Sequence, residues 1–129
     1  MPPILSHPPT AAEAVLAVKK GLAWSEATFL AEKLALTLDE LAGYLDIPSS
    51  TFFRRKGRRF TTNESDHLMR FANLWDLARH TFDNENGAAK WLKTPQVGLG
   101  GAIPLQYAQT EIGAREVEAL LKRIDYDIA

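Results

Sequence analysis

No stretch of this chain sustains a two-residue alternation of apolar and polar side chains with β-branched enrichment, the pattern a half-buried strand requires. Apolar residues recur instead at spacings of three and four. The clearest run is Leu68, Phe71, Trp75, Ala78 and Phe82, one continuous stripe on a helix predicted over Thr62 to Phe82. A stripe of this kind is core far more often than a cofactor site. It commits the chain to helix-on-helix packing, and the expected fold class is all-α.

Helix punctuation divides the rest. "TLDE" and "TTNE" pair Thr37 with Glu40 and Thr61 with Glu64, the two halves of a capping box at the start of a helix. Thr10 can cap a helix that stops at Gly21, a second segment spans Trp24 to Leu34, and a third runs from Thr37 to about Leu45. A short fourth covers about Pro48 to Lys56, where Gly57 can take the left-handed geometry that ends a helix. After the turn-rich "DNENG" come shorter units: Glu85 to Lys93, the turn "QVGLGG", Pro104 to Gln109, and Glu111 to Ile124 with Gly113, Val117, Leu120, Leu121 and Ile124 on one face. Four prolines within the first nine residues argue for a tail without structure. The expected organisation is a tail over 1–9, a multi-helix region closed by the long connecting helix over 10–82, and a small helical domain over 83–129.

The third and fourth segments, "TLDELAGYLDIPSSTFFRRKG", read together as a helix-turn-helix. Leu38, Leu41, Leu45, Ile47 and Phe52 fall where two steeply crossing helices share a core, and Ala42 supplies the small residue such a crossing needs. The turn position that favours glycine holds Asp46, one of the few other residues that tolerate a left-handed backbone. Pro48 stands where Ser or Thr would cap, and suits the first turn because its missing N–H has no intrahelical partner. Five of the fifteen Lys and Arg residues of a chain with net charge -1 then crowd into positions 54–59, so the remainder is acidic.

On a recognition helix Ser49, Ser50 and Thr51 would face the major groove. Arg54 or Arg55 would grip a guanine, whose two acceptors match the guanidinium fork, and Lys56, Arg58 and Arg59 would meet phosphates. The competing reading, a solvated charged face, is weaker because the cluster ends a recognition helix in an otherwise acidic chain. A homodimer is expected, since two such helices read half-sites about 34 Å apart.

Other classes are disfavoured. The chain has no cysteine, and His7, His67 and His80 share no metal-ligand spacing, so neither metal nor cofactor is expected. No nucleophile elbow is present and the carboxylates fall mostly on outward helix faces, so no catalytic residue is assigned. Neither a membrane-length apolar run nor a signal peptide is visible, and a cytoplasmic protein is expected. Gly98, Gly100 and Gly101 lack the preceding strand and the following "GK[ST]" of a phosphate loop.

The C-terminal third carries a Trp-Leu pair (Trp91, Leu92), Pro95, Leu99-Gly100-Gly101, Pro104-Leu105, Thr110 with Gly113, and the ending "EVEALLKRIDY". As an ordered set these residues resemble the toxin-binding domain of the Xre/MbcA/ParS antitoxins. "STFFRRK" and "RRFTTNESDHLMRFANLWDLARHTF" are similar to the Xre-type helix-turn-helix and connecting helix of the same proteins. The resemblance covers Gly21 to the end, with Asp127 where the family commonly has glycine. It implies an Xre-like helix-turn-helix joined by a long helix to a small helical toxin-binding domain, in a type II toxin–antitoxin system. The implied partners are a RES-domain, NAD-degrading toxin whose active site the antitoxin covers in a hetero-oligomer, and the operator DNA of the shared promoter. It assigns toxin contact to Leu99, Gly100, Pro104 and the ending Arg123, Asp125, Tyr126, Asp127 and Ile128; Tyr and Arg are enriched at binding hot spots. The alternative is a stand-alone regulator whose C-terminal domain dimerises or binds another protein.

Overall fold

The computed structural model describes residues 3–128, Ile128 by its backbone alone. Eight α-helices follow one another: α1 (Ala11–Lys20), α2 (Trp24–Lys33), α3 (Leu38–Tyr44), α4 (Ser49–Phe53), α5 (Thr62–Phe82), α6 (Glu85–Leu92), α7 (Pro104–Tyr107) and α8 (Glu111–Ile128), with 3-10 turns at Ile4–Ser6 and Val97–Leu99. Among the described residues pairing of the β type is confined to two isolated bridges, Ala23 with Arg59 and Gln96 with Ala102.

Capping chemistry sets the helix starts. Thr10, Thr37 and Thr61 each accept the N–H three residues on, while Glu13, Glu40 and Glu64 reach back to the cap N–H. Each box satisfies two amides that the first helical turn would leave bare. At the other ends α2 and α3 stop alike. Ala35 and Asp46 take left-handed backbones (φ 54° and 56°), and the amides that follow fold back: Leu36 to Ala31 O and Ile47 to Ala42 O. That geometry uses up two stranded carbonyls at each helix end.

The long helix α5 is the spine. Its Leu68, Phe71, Trp75 and Ala78 are buried, and it packs against α1, α2, α6 and α8. The buried side chains form one contiguous core. Under the helix-turn-helix lie Leu41, Leu45 and Phe52, each shut away from water and each worth about 1.5–3 kcal/mol of burial. Two hydrogen-bond sets lock the C-terminal helices to this half. Arg70 donates through Nη1 to Gln109 O (3.2 Å), and Gln109 donates through Nε2 to Tyr44 O at the end of α3 (3.1 Å).

Three sequence expectations are corrected. Over Ile4–Ser6 the proline-rich start is ordered, because the buried carboxylate of Glu26 accepts the amides of Ile4 (2.9 Å) and Leu5 (3.0 Å) and Leu5 fills an apolar site. The fourth helix ends at Phe53 rather than near Lys56; residues 54–57 continue as turns, closed by Gly57 at φ 81°. The last helix does not end at Ile124 but runs unbroken through "DYDI".

Candidate nucleic-acid interface and partner surface

Folding places the basic cluster on a short platform. Phe52 packs inward against Trp24 and Phe60, with ring centroids 5.0 and 5.5 Å away. The chain after Gly57 is then clamped to the α1–α2 turn: Phe60 N–H donates to Leu22 O (2.9 Å), and Leu22 N–H to the buried Ser65 hydroxyl (2.8 Å). Gly21 makes this approach possible, since a Cβ there would lie 2.4 Å from Phe60 O and its φ is 92°.

The five basic residues are not equivalent. Arg55 turns inward and grips Glu64 with both arms of its fork, Nε to Oε1 at 2.8 Å and Nη2 to Oε2 at 3.0 Å, the two side chains only 20% and 14% exposed. Burial by itself would raise the Glu64 carboxyl. The Arg55 guanidinium and the Thr61 amide outweigh it and hold the group below its ordinary 4.5. The Glu64 hydrogen bonds in turn push the Arg55 guanidinium upward. In this conformation Arg55 is therefore a structural cation whose fork is already occupied by Glu64.

Arg54 is exposed and steadied by a bond from Nη2 to Thr51 Oγ1 (3.1 Å). Arg59 donates to Gly21 O (2.9 Å) but keeps its full charge, since a carbonyl is neutral. Lys56 and Arg58 are exposed, and neither enters an ion pair among the described residues. Of the hydroxyls, Ser49 donates to Asp39 (2.6 Å), Thr51 accepts from Arg54, and Ser50 is exposed. The exposed groups of 54–59 are cationic, and the Arg54 guanidinium and the Thr51 hydroxyl meet beside them. Phe53, to which sequence reasoning gave no role, is 39% exposed beside them.

At the other end of the molecule the residues assigned to partner contact divide. Leu99 and Pro104 are buried, because the 3-10 turn presses the apolar side of "QVGLGG" onto α8; a Cβ on Gly98 would lie 2.9 Å from Leu120 Cδ1. In this conformation both lie beneath the surface and support it from below. Gly100 is exposed in a left-handed turn (φ 67°). Arg123, Asp125, Tyr126 and Asp127 are all exposed on the last turns of α8, Tyr126 by 83%. Helical spacing brings Arg123, Tyr126 and Asp127 to one side and leaves Asp125 off it. The side chain of Ile128 lies outside what the structure describes.

Val97 and Ile112 were missed by sequence reasoning. Val97 is 96% exposed at the tip of the 3-10 turn, and Ile112 is exposed on the side of α8 opposite Val117 and Leu121. Helical spacing could have found Ile112, which sits off the stripe begun by Gly113. Nothing in "PQVGLG" distinguishes Val97 from a core residue.

The sequence profile of the antitoxin Xre-like helix-turn-helix domain matches residues 13–73, and that of the antitoxin Xre/MbcA/ParS C-terminal toxin-binding domain matches residues 77–126. Three proteins named antitoxin Xre are similar. The one from Yersinia enterocolitica is 38% identical over 85 residues, 64% of this chain and 57% of the relative. That from Photorhabdus laumondii is 38% identical over 71 residues, covering 54% and 48%, and that from Pseudomonas putida is 32% identical over 80 residues, covering 60% and 50%. The chain thus spans about half the length of the curated relatives it matches.

Proposed function

The chain belongs to the Xre/MbcA/ParS family of antitoxins, and from that premise we propose that it restrains a RES-domain, NAD-degrading toxin and represses the promoter it shares with that toxin. The observation that carries the reading is the division of labour between two faces of one helical chain. A cationic helix-turn-helix face occupies the first matched region, and α8, which runs past the end of the second, carries an exposed Arg123–Tyr126–Asp127 side. A helix end is narrow enough to enter a concave active site, and Arg and Tyr there supply the hydrogen-bonding and aromatic anchors that dominate interface energy. The chemistry belongs to the partner, and this chain acts by occupying the site.

Repression follows from the other face. Arg54 is the guanine reader, and Lys56, Arg58 and Arg59 hold phosphates. A homodimer presents two copies to half-sites about 34 Å apart. The division into a DNA-binding part over 10–82 and a toxin-binding part over 83–129 belongs to the same proposal.

The test is co-expression with the toxin encoded by the neighbouring gene. The full chain should preserve cellular NAD, and a chain ending at Ile124 should lose that protection while still binding promoter DNA. Full protection by the truncated chain would remove α8 from the mechanism. Failure to co-purify any RES-domain protein would favour a stand-alone regulator.

A further inference from the structure

We propose that Phe53 is a specificity-determining residue of the DNA-binding face and reads the 5-methyl group of a thymine; the proposal rests on the assignment of α4 to the major groove. Ser49, Ser50, Phe53 and Arg54 share the outward side of α4, whereas the adjacent Phe52 is fully buried. Among the described residues of 38–60, Phe53 is the one large apolar side chain left exposed. The exposed residues that follow it along the chain include the cations Arg54, Lys56 and Arg58, which suit a polyanion and not an apolar protein surface.

The ring is also held before any ligand arrives. It meets Phe52 edge-on at 5.5 Å (83°) and Trp24 at 5.7 Å. Trp24 itself stacks on Phe60 at 6.0 Å, so the aromatic support reaches into the core. A pre-set ring loses little conformational freedom on binding. What such a ring can read is limited. The edges of the bases in the major groove are hydrogen-bond donors and acceptors except for one apolar group, the thymine methyl, and Phe is among the side chains that contact it. Arg54, one position on, would then take a guanine close to that thymine.

The experiment uses the full chain and a randomised duplex pool made without base methylation. Each thymine of the enriched sequence is replaced in turn by 2′-deoxyuridine, which removes only the methyl. One position per half-site should weaken about fourfold, the factor corresponding to one apolar carbon kept from water. Phe53→Ser should bind thymine and uracil there equally while keeping its salt-dependent affinity. Phe53→Leu, which preserves apolar packing, should keep part of the discrimination. Because the readout is a ratio measured on one protein, a loss of overall affinity does not mimic it.

Cytosine and 5-methylcytosine at the same position separate the other source of the group. A gain from methylating cytosine, with none from thymine over uracil, would overturn the thymine assignment. So would an enriched site indifferent to every uracil, an undiminished ratio in Phe53→Ser, or a fall in dimer or toxin affinity with the ratio unchanged. A pool with no enriched sequence would overturn the DNA-binding reading itself, and this one with it.

Discussion

Replacing Arg55 and Lys56 one at a time should separate stability from DNA affinity, although the two residues are neighbours and carry the same charge. Were all five cations of 54–59 on phosphates, binding would fall with salt at a log–log slope of about -4.5 per subunit, at about 0.9 per phosphate. The geometry removes Arg55, whose fork is occupied by Glu64, and assigns Arg54 to a base. Lys56, Arg58 and Arg59 remain, for a slope of about -2.7. Lys56→Ala should reduce its magnitude by about 0.9 with stability unchanged within about 0.5 kcal/mol, as for an exposed side chain. Arg55→Ala should leave the slope alone and cost about 1.5 kcal/mol, the lower end for hydrogen bonds to a charged, half-buried partner. Fluorescence anisotropy over a salt series and urea melts read the two effects separately. A slope that falls by about 0.9 in Arg55→Ala, with the melt unchanged, would refute the pairing of Arg55 with Glu64 in the DNA-bound protein.

Gly113→Ala should destabilise by about 1–3 kcal/mol in a urea melt despite the helix-favouring substitution, because a Cβ would sit 1.6 Å from Tyr107 O and force α7 and α8 apart. Burial, seconded by the Arg70 charge and opposed by Asp66 and Asp46, holds the His67 imidazole below its usual 6.5, and Nε2 is buried without a hydrogen-bond partner. The folded state therefore favours neutral His67. Its stability is full above pH 6.5 and declines as pH falls from there towards the folded-state value, and His67→Phe, which keeps the ring beside Phe71, should flatten that limb of a stability–pH profile. Glu26→Ala strands the amides of Ile4 and Leu5; their hydrogen exchange should accelerate and the melt should shift down by about 1–3 kcal/mol.

The helix starts were legible because a capping box is a local device. Thr37 and Glu40, or Thr61 and Glu64, are three residues apart and need nothing else to meet. Asp46 was legible for the same reason, since a turn of fixed length between two apolar runs demands a left-handed residue at one position. The end of α8 was misread because "DYD" is polar and ranks low in helix propensity, so nothing local marks the last turn as helical. Val97 and Leu99 show the opposite limit: two aliphatic side chains two residues apart, one in water and one in the core, sorted by a 3-10 turn whose orientation depends on α8.

Sequence by itself therefore determined the elements: an all-α chain, a helix-turn-helix, a long connecting helix and a concentration of cations at 54–59. Periodicity, capping and turn chemistry act over three or four residues, and charge composition needs no fold at all. The allocation of those side chains was decided by tertiary structure. Arg55 is withdrawn from the cationic face by a carboxylate nine residues on, Phe53 is left outside while Phe52 is buried, and the proline-rich start is tied down by Glu26. Each of these depends on which groups meet across elements. A desolvated carboxylate must find a cation or an amide, and only the packed chain settles which one is within reach.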